Sequence, residues 1–209
     1  MKTLYIPVSD SREVKQFISE LEKQINNYSK ISLTSTIQFV NQIKEVSKLL
    51  INHEVMIDKP VLGCSEFTTD ADAIVIITTG EFHALNIAVK TGKPVFILSP
   101  EGVSSITQER INEFKKKQAI RVSKVIDAKI IGVLVSTKPG QAREKLGREI
   151  VEKLRKQGKQ AYIFVANELS PSQLNDYPVN AWINTACPRI VEDTLEKPIA
   201  NWNEVKNHL

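Results

Sequence analysis

Cysteine is scarce in this chain and long apolar stretches are absent, and each shortage excludes a class of protein. The two cysteines, Cys64 and Cys187, stand far apart, so there is no disulfide framework of the kind that staples small secreted domains. They form no C-x-x-C pair, which argues against a conventional zinc site and leaves inert thiols or isolated ligands. No apolar run approaches the roughly 18 to 20 residues of a membrane-spanning helix. The longest candidates, residues 73–79 and 130–135, read as buried strands. The N-terminal residues lack an apolar stretch ending in a small-residue cleavage site, so the expected location is the cytoplasm, with no membrane partner.

What is present suits a soluble globular protein. The chain has 209 residues, 42% hydrophobic and 25% charged, enough for one large or two small domains with packed cores. The formal charge is +4, but lysines and arginines are spread through helical stretches rather than gathered in one block. Direct nucleic-acid binding is therefore not expected. No internal repeat is clear, and no segment is low in complexity.

Short β-branched runs alternate with longer segments of helical period. Residues 3–8, 30–35, 53–57, 73–78, 94–98, 129–135, 160–165 and 181–184 read as strands, mostly too continuously apolar to be half-exposed. Ser9 or Asp10 can cap a helix through about residue 27, with Val14, Phe17, Ile18, Leu21 and Ile25 on one face. Residues 37–52 repeat the pattern with Val40, Ile43, Val46, Leu50 and Ile51. Residues 104–128 read as a long polar helix, 142–157 as another that stops at Gly158, and a short one begins at Ser170-Pro171. Asn201 is a candidate cap in the tail. Alternation of strand and helix predicts an α/β fold: two consecutive small parallel-sheet domains with flanking helices, residues 1–127 and 128–209.

Four loops follow strands at the end where open parallel sheets place their ligand crevices. The first, Thr34-Ser35-Thr36-Ile37-Gln38, offers hydroxyls and backbone N–H groups that would suit an anion, or simply an N-cap at Ser35 or Thr36. The second, Thr78-Thr79-Gly80-Glu81-Phe82-His83-Ala84, sets a turn-permitting glycine beside an acid and an imidazole, although His83 at a helix start is ordinarily a hydrogen bonder. The third, Ser136-Thr137-Lys138-Pro139-Gly140-Gln141, is a strand–turn–helix junction with a cation but without the spaced glycines of a nucleotide-binding P-loop. The fourth, Asn184-Thr185-Ala186-Cys187-Pro188-Arg189, places a cysteine just beyond an apolar strand. Cys64, in Val61-Leu62-Gly63-Cys64, also sits in a loop. A buried inert thiol is the default for either cysteine alone. Together, both in inter-element loops beside glycine or proline, they favour ligand roles.

These segments, with Asp72-Ala73 and Thr91-Gly92-Lys93-Pro94-Val95 between them, resemble the archaeal 2-(3-amino-3-carboxypropyl)histidine synthases, the family of the first step of diphthamide synthesis. Several motifs in the right order with the right gaps cover nearly the whole chain. The resemblance implies a noncanonical radical enzyme using S-adenosylmethionine, in which three similar domains each give one cysteine to a 4Fe–4S cluster. It implies transfer of a 3-amino-3-carboxypropyl group to a histidine of translation elongation factor 2. By position it makes Cys64 the second cluster ligand and Cys187 the third, in the family's second and third domains. Arg189, the hydroxyl-rich turn of Ser136, Thr137, Lys138, Gly140 and Gln141, and the Gly80, Glu81 and His83 loop become candidates for holding the methionine carboxylate or positioning the cofactor.

The family's first domain and its cysteine have no counterpart in these residues. The third ligand is expected from another chain, either a partner polypeptide or a second copy. The alternative is a non-catalytic relative that binds elongation factor 2, S-adenosylmethionine or an enzyme partner without turnover. From fold alone, a periplasmic-binding-like or nucleotide-sugar-binding protein is a further reading, disfavoured by the loop cysteines and the run of motifs.

Overall fold

The structure, a computed structural model, describes residues 4, 6, 8–62, 66–192 and 196–209. The chain divides into two compact units, Met1–Glu113 and Phe114–Leu209. The division falls inside the long helix Gln108–Asp127, whose last residue is where the sequence suggests a boundary. No helix of the described residues is long and apolar enough to cross a membrane.

The first unit is a five-stranded sheet built from β1 (Lys30–Ser35), β2 (Glu54–Ile57), β3 (Ala73–Ile77), β4 (Val95–Ser99) and β5 (Gly102–Ser105), in the order β2-β1-β3-β4-β5. All neighbours are parallel except β4 and β5. Alternation along the strands divides the core between the faces. Ile31, Leu33, Ala73, Val75 and Ile77 pack under α1 (Ile18–Ile25) and α2 (Ile43–Leu49). Ile74 and Ile76 point the other way, toward α3 (Glu81–Thr91) and its Ala84, Ile87 and Ala88. In α1 the buried Ile18, Leu21 and Ile25 follow the three- and four-residue spacing that makes one helix face apolar.

Strand β5 is absent from the sequence reading, which runs the following helix from residue 104. Ser104 and Ser105 instead pair with Ile97 and Phe96 in an antiparallel hairpin closed at Pro100-Glu101, so the long helix α4 (Gln108–Asp127) begins only at Gln108. At the N-terminus the expected strand over residues 3–8 does not form at Leu4, Ile6 or Val8, which are exposed and unpaired; its other residues lie outside the described set. Alternating apolar residues make a strand only where a neighbouring strand accepts their hydrogen bonds, and Leu4, Ile6 and Val8 join neither sheet of the described residues.

The second unit holds β6 (Ile130–Ser136), β7 (Gln160–Ala166), β8 (Ala181–Asn184) and β9 (Ile199–Asn201), all parallel in the order β7-β6-β8-β9. One face carries Ile131, Val133, Ala181 and Ile183 against the C-terminal half of α4 and against α5 (Glu144–Lys156). The other carries Leu134, Trp182 and Ile199 beside α6 (Pro171–Asn175). Gly158, at φ 81°, adopts the left-handed conformation that ends α5 where the sequence places the stop. The tail helix α7 (Trp202–Val205) starts with a capping box in which Asn201 and Glu204 satisfy each other's backbone N–H groups.

Candidate functional site

Each sheet has one point where consecutive crossovers leave in opposite directions, and there the carboxyl ends of two adjacent parallel strands open a crevice. In the second unit the point lies between β6 and β8: β6 connects to β7 on one side, and the chain then returns to place β8 on the other. The third and fourth loops of the sequence reading emerge from these two strand ends.

The loop after β6 is locally determined. Pro139 and Gly140 occupy the middle of a turn in which the Gln141 N–H donates to the Lys138 carbonyl at 3.0 Å, and Gly140 has φ 79°. That is the pattern of a type II turn, which favours proline then glycine at its centre. Ser136 is buried and accepts the Lys138 N–H on Oγ at 3.1 Å, while the Thr137 N–H donates to Ala166 O at 3.0 Å. The backbone donors of Thr137, Lys138 and Gln141 are thus engaged within the protein, and beside them a ligand would meet two polar side chains. Those side chains are the exposed Thr137 hydroxyl, 3.4 Å from Asn167 Oδ1, and the Lys138 ammonium, paired with Glu168 at 2.9 Å. Both charges are well exposed, and such a pair contributes little on its own.

The loop after β8 is held more firmly. Thr185, buried, gives both its N–H, at 3.1 Å, and its hydroxyl, at 2.7 Å, to the Leu134 carbonyl of β6. The Asn184 side chain donates to the carbonyl of Cys187 at 2.8 Å and to Asn201 Oδ1 at 2.8 Å, and accepts the Ala186 N–H at 3.0 Å. A 3-10 helix, Pro188–Glu192, begins immediately after Cys187, and the Ile190 N–H donates to Cys187 O at 3.1 Å. The thiol is half-buried and not in a disulfide. Arg189 is exposed on the same short helix. The sequence reading gives Asn184 and Thr185 no role of their own; two polar residues closing an apolar run are the signal it offers.

In the first unit the corresponding point lies between β1 and β3. Here the Thr36 N–H donates to Ile77 O at 3.0 Å, and the connection leaving β2 crosses the end of β1 through Asp58 N–H to Leu33 O at 2.9 Å and Val61 N–H to Ser35 O at 2.8 Å. Buried hydroxyls fix the same connection, Thr34 by donating to Lys59 O at 2.8 Å and Ser32 by donating to the Asp58 carboxylate. Cys64, on this connection, lies outside the described residues. Thr36 occupies the N-cap position of a 3-10 helix, Ile37–Gln42, without a capping side-chain bond, and the buried Ser35 Oγ has no hydrogen-bond partner among the described residues. The first loop therefore lacks the simple side-chain cap at Thr36, and the Thr36 N–H is engaged with β3.

After β3, Gly80 is the N-cap of α3 with an extended backbone, φ −170°, that any residue adopts, so the sharp turn expected of it is not there. Its Cβ position is open. Glu81 is exposed and bonded to Arg110 Nε at 3.1 Å; that carboxylate first, then Glu113, holds the Arg110 guanidinium above its usual proton affinity. His83 stacks edge-on with Phe82 at 5.1 Å between ring centres and lines a narrow crevice with Val61, Leu62, Phe67, Asn86 and Lys90. A wider crevice of about 320 Å³ lies against Asp58, Lys59, Glu66, Phe67 and Thr68, within the size range of small-molecule sites.

A groove of about 500 Å³ in the second unit, between α4 and the tail at Glu204 and His208, contains none of the expected site residues. Among the described residues no three acidic, histidine or cysteine side chains converge as a metal site. A half-buried thiol on a pinned loop, outside any disulfide, is chemically suited to serve as one thiolate of a 4Fe–4S cluster whose other ligands lie elsewhere.

Comparison with known proteins accounts for this arrangement. Residues 1–208 match the model of the diphthamide synthesis protein family. The chain is similar to 2-(3-amino-3-carboxypropyl)histidine synthase of Methanocaldococcus jannaschii, 34% identical over 99% of this chain and 62% of that protein. It is similar to the same synthase of Pyrococcus horikoshii, 33% identical over 98% of this chain and 64% of that one. Crystal structures of Dph2 from Pyrococcus horikoshii, one of them with a 4Fe–4S cluster, match with TM-scores of 0.87 at 30% and 31% identity, covering 95% of this chain and 63% of theirs. The chain thus spans a little under two thirds of these relatives.

Proposed function

The chain belongs to the diphthamide synthesis protein family, and from that footing we propose that it forms part of the cytoplasmic enzyme that transfers a 3-amino-3-carboxypropyl group from S-adenosylmethionine to a histidine of translation elongation factor 2. One carbon–sulfur bond of the sulfonium breaks, releasing the thioether 5′-methylthioadenosine, and a bond to an imidazole carbon of the histidine forms as that carbon gives up its hydrogen as a proton; one electron is lent and returned, so the transfer is redox-neutral. A 4Fe–4S cluster, when bound, would supply that electron for the noncanonical radical cleavage. Cys187 holds it as a thiolate together with Cys64, and the third thiolate comes from another chain, a partner or a second copy.

The observation that carries the reading is the Cys187 loop, fixed by buried polar groups at a strand switch point, in a fold shared with a relative whose crystal structure contains such a cluster. Arg189, beside Cys187, offers a guanidinium fork suited to the methionine carboxylate. On the Ser136–Gln141 turn, Thr137 and Lys138 present their side chains, while Ser136, Gly140 and Gln141 set the shape of the turn. Gly80, Glu81 and His83 act at the corresponding end of the first unit, Glu81 through its pair with Arg110.

Anaerobic iron–sulfide reconstitution, with and without a chain supplying a third cysteine, tests the proposal through iron content, visible absorbance and the aminocarboxypropyl product. Four irons and product are expected only in the completed complex, and Cys187→Ser should remove both. A complex that keeps its cluster after Cys187→Ser would overturn the ligand assignment. Iron-free protein that still binds elongation factor 2 would favour the non-catalytic relative.

A further inference from the structure

We propose that Asn184 is the positioning residue of Cys187: its amide locks the loop so that the thiolate is presented in one geometry before iron arrives. This rests on the reading of Cys187 as a cluster ligand. Asn184 is the last residue of β8 and only 2% exposed, and it follows Ile183 on the strand, where an apolar residue would extend the core. Burying an amide is unfavourable unless its hydrogen bonds are met, and here they are met by the loop itself. The oxygen takes the Ala186 N–H, and the two amide hydrogens go to the Cys187 carbonyl and Asn201 Oδ1. Flipping the amide would set its oxygen against two acceptors and its NH₂ against a donor, so one orientation is defined.

The orientation is transmitted further. Asn201 accepts from Asn184, donates to Pro188 O at 3.4 Å, and gives its backbone N–H to Glu204 Oε2 at 2.8 Å. The other Glu204 oxygen accepts from Gln118 Nε2 of α4 at 2.7 Å. Arg121, one helical turn beyond Gln118, donates to Val191 O at 3.4 Å, and the Val191 side chain is buried. The backbone at and after Cys187 is therefore held at three carbonyls, Cys187, Pro188 and Val191, from β8, β9 and α4. Every one of these bonds goes to the main chain of the loop. Among the described residues none goes to the sulfur. Such an arrangement fixes where a thiolate sits while leaving its lone pairs for a metal, which is what outer partners of metal ligands do.

The test compares Asn184→Asp with Leu154→Val in the full chain. The first keeps size and the acceptor for Ala186 but cannot donate to Cys187 O; the second trims a buried side chain of α5 beside the start of β7, at the opposite end of the strands from the loop. In a Cys64→Ser background, the rate of Cys187 with a disulfide reagent, followed across pH, should change for Asn184→Asp and stay at the parent value for Leu154→Val. In the reconstituted complex with Cys64 intact, Asn184→Asp should lose iron to a chelator about tenfold faster, the scale of outer-partner effects on metal affinity, with an altered cluster spectrum. Should Asn184→Asp unfold, Asn184→Ser, which retains a donor, is read in its place against the same control. An unchanged thiol rate and pH profile, or equal changes in both variants, would overturn the inference. If the parent complex takes up no iron, the ligand reading of Cys187 fails, and the thiol rates still decide whether Asn184 governs the loop.

Discussion

Gly132 is the position where a single methyl group should be felt most. It lies in the middle of β6, the central strand of the second unit, and its backbone is not in the left-handed region, so an alanine there is strained only by contact. A Cβ would meet Trp182 Cζ3 at 2.2 Å and Cε3 at 2.3 Å, with Phe164 Cε2 at 3.1 Å. Carbon atoms rest at about 3.5 to 4.0 Å, so the indole must retreat by roughly 1.3 Å or the strand must shift. Trp182 is fully buried and sits edge-on to Phe164 at 4.8 Å and to Tyr177 at 6.1 Å between ring centres, so any retreat disturbs both pairs.

Overpacking costs about 1 to 3 kcal/mol and loss of an aromatic pair a further ~0.5 to 1.5, against about 0.4 to 1 recovered because alanine restricts the unfolded chain. Gly132→Ala should therefore destabilise by about 2 kcal/mol. Urea unfolding followed by near-ultraviolet circular dichroism reads the change, since Trp182 is one of two tryptophans. Adding Trp182→Phe should return part of the loss, because the smaller ring makes room; a double-mutant cycle measures the return. An unchanged midpoint for Gly132→Ala, or strictly additive effects of the two substitutions, would refute the packing argument.

Gly147→Ala, in α5, brings its Cβ to 2.5 Å from Val135 Cγ2 and 3.1 Å from Ile163 Cδ1, but alanine's better helix propensity offsets about 1 kcal/mol, so a loss of about 1 kcal/mol or less is expected from thermal unfolding. Asn201→Ala removes the α7 capping box and leaves a buried Asn184 N–H without its acceptor, and should cost about 2 to 3 kcal/mol in urea, of which Asn201→Ser should restore the capping part, about 1 kcal/mol. The Asp10 carboxylate is held below its usual proton affinity, chiefly by the Arg12 side-chain bond and then by the Arg12 N–H. Because the folded value is the lower one, the contact's stabilisation is present above the ordinary aspartate range and fades as pH falls through the folded value. An NMR titration should place Asp10 below an unperturbed aspartate, and Arg12→Ala should bring it back up.

The sequence alone carried what depends on neighbours along the chain. The runs at residues 73–77 and at residues 130–135 are too uniformly apolar for half-exposed strands, and the three- and four-residue spacing of Ile18, Leu21 and Ile25 sets a helix face without reference to its partner. Pro139-Gly140, Gly158 and the Asn201 cap are likewise local, because each answers a backbone requirement within a few residues. The family and its α/β architecture were legible for the same reason: the motifs lie in loops that follow such strands.

Tertiary structure decided what depends on which strands meet. Ser104 and Ser105 became strand rather than helix because they pair along β4, and residues 3–8 formed no strand at the described positions because those positions join neither sheet. Gly80 proved to need no special backbone, whereas Gly132, unremarked in the sequence, is required by the indole of a residue fifty positions away on the neighbouring strand. Asn184 reads in the sequence as the polar end of an apolar run. Its three partners come from the loop after β8 and from β9, and only the folding of β8 against β9 makes an exposed turn-former into the buried amide that holds Cys187.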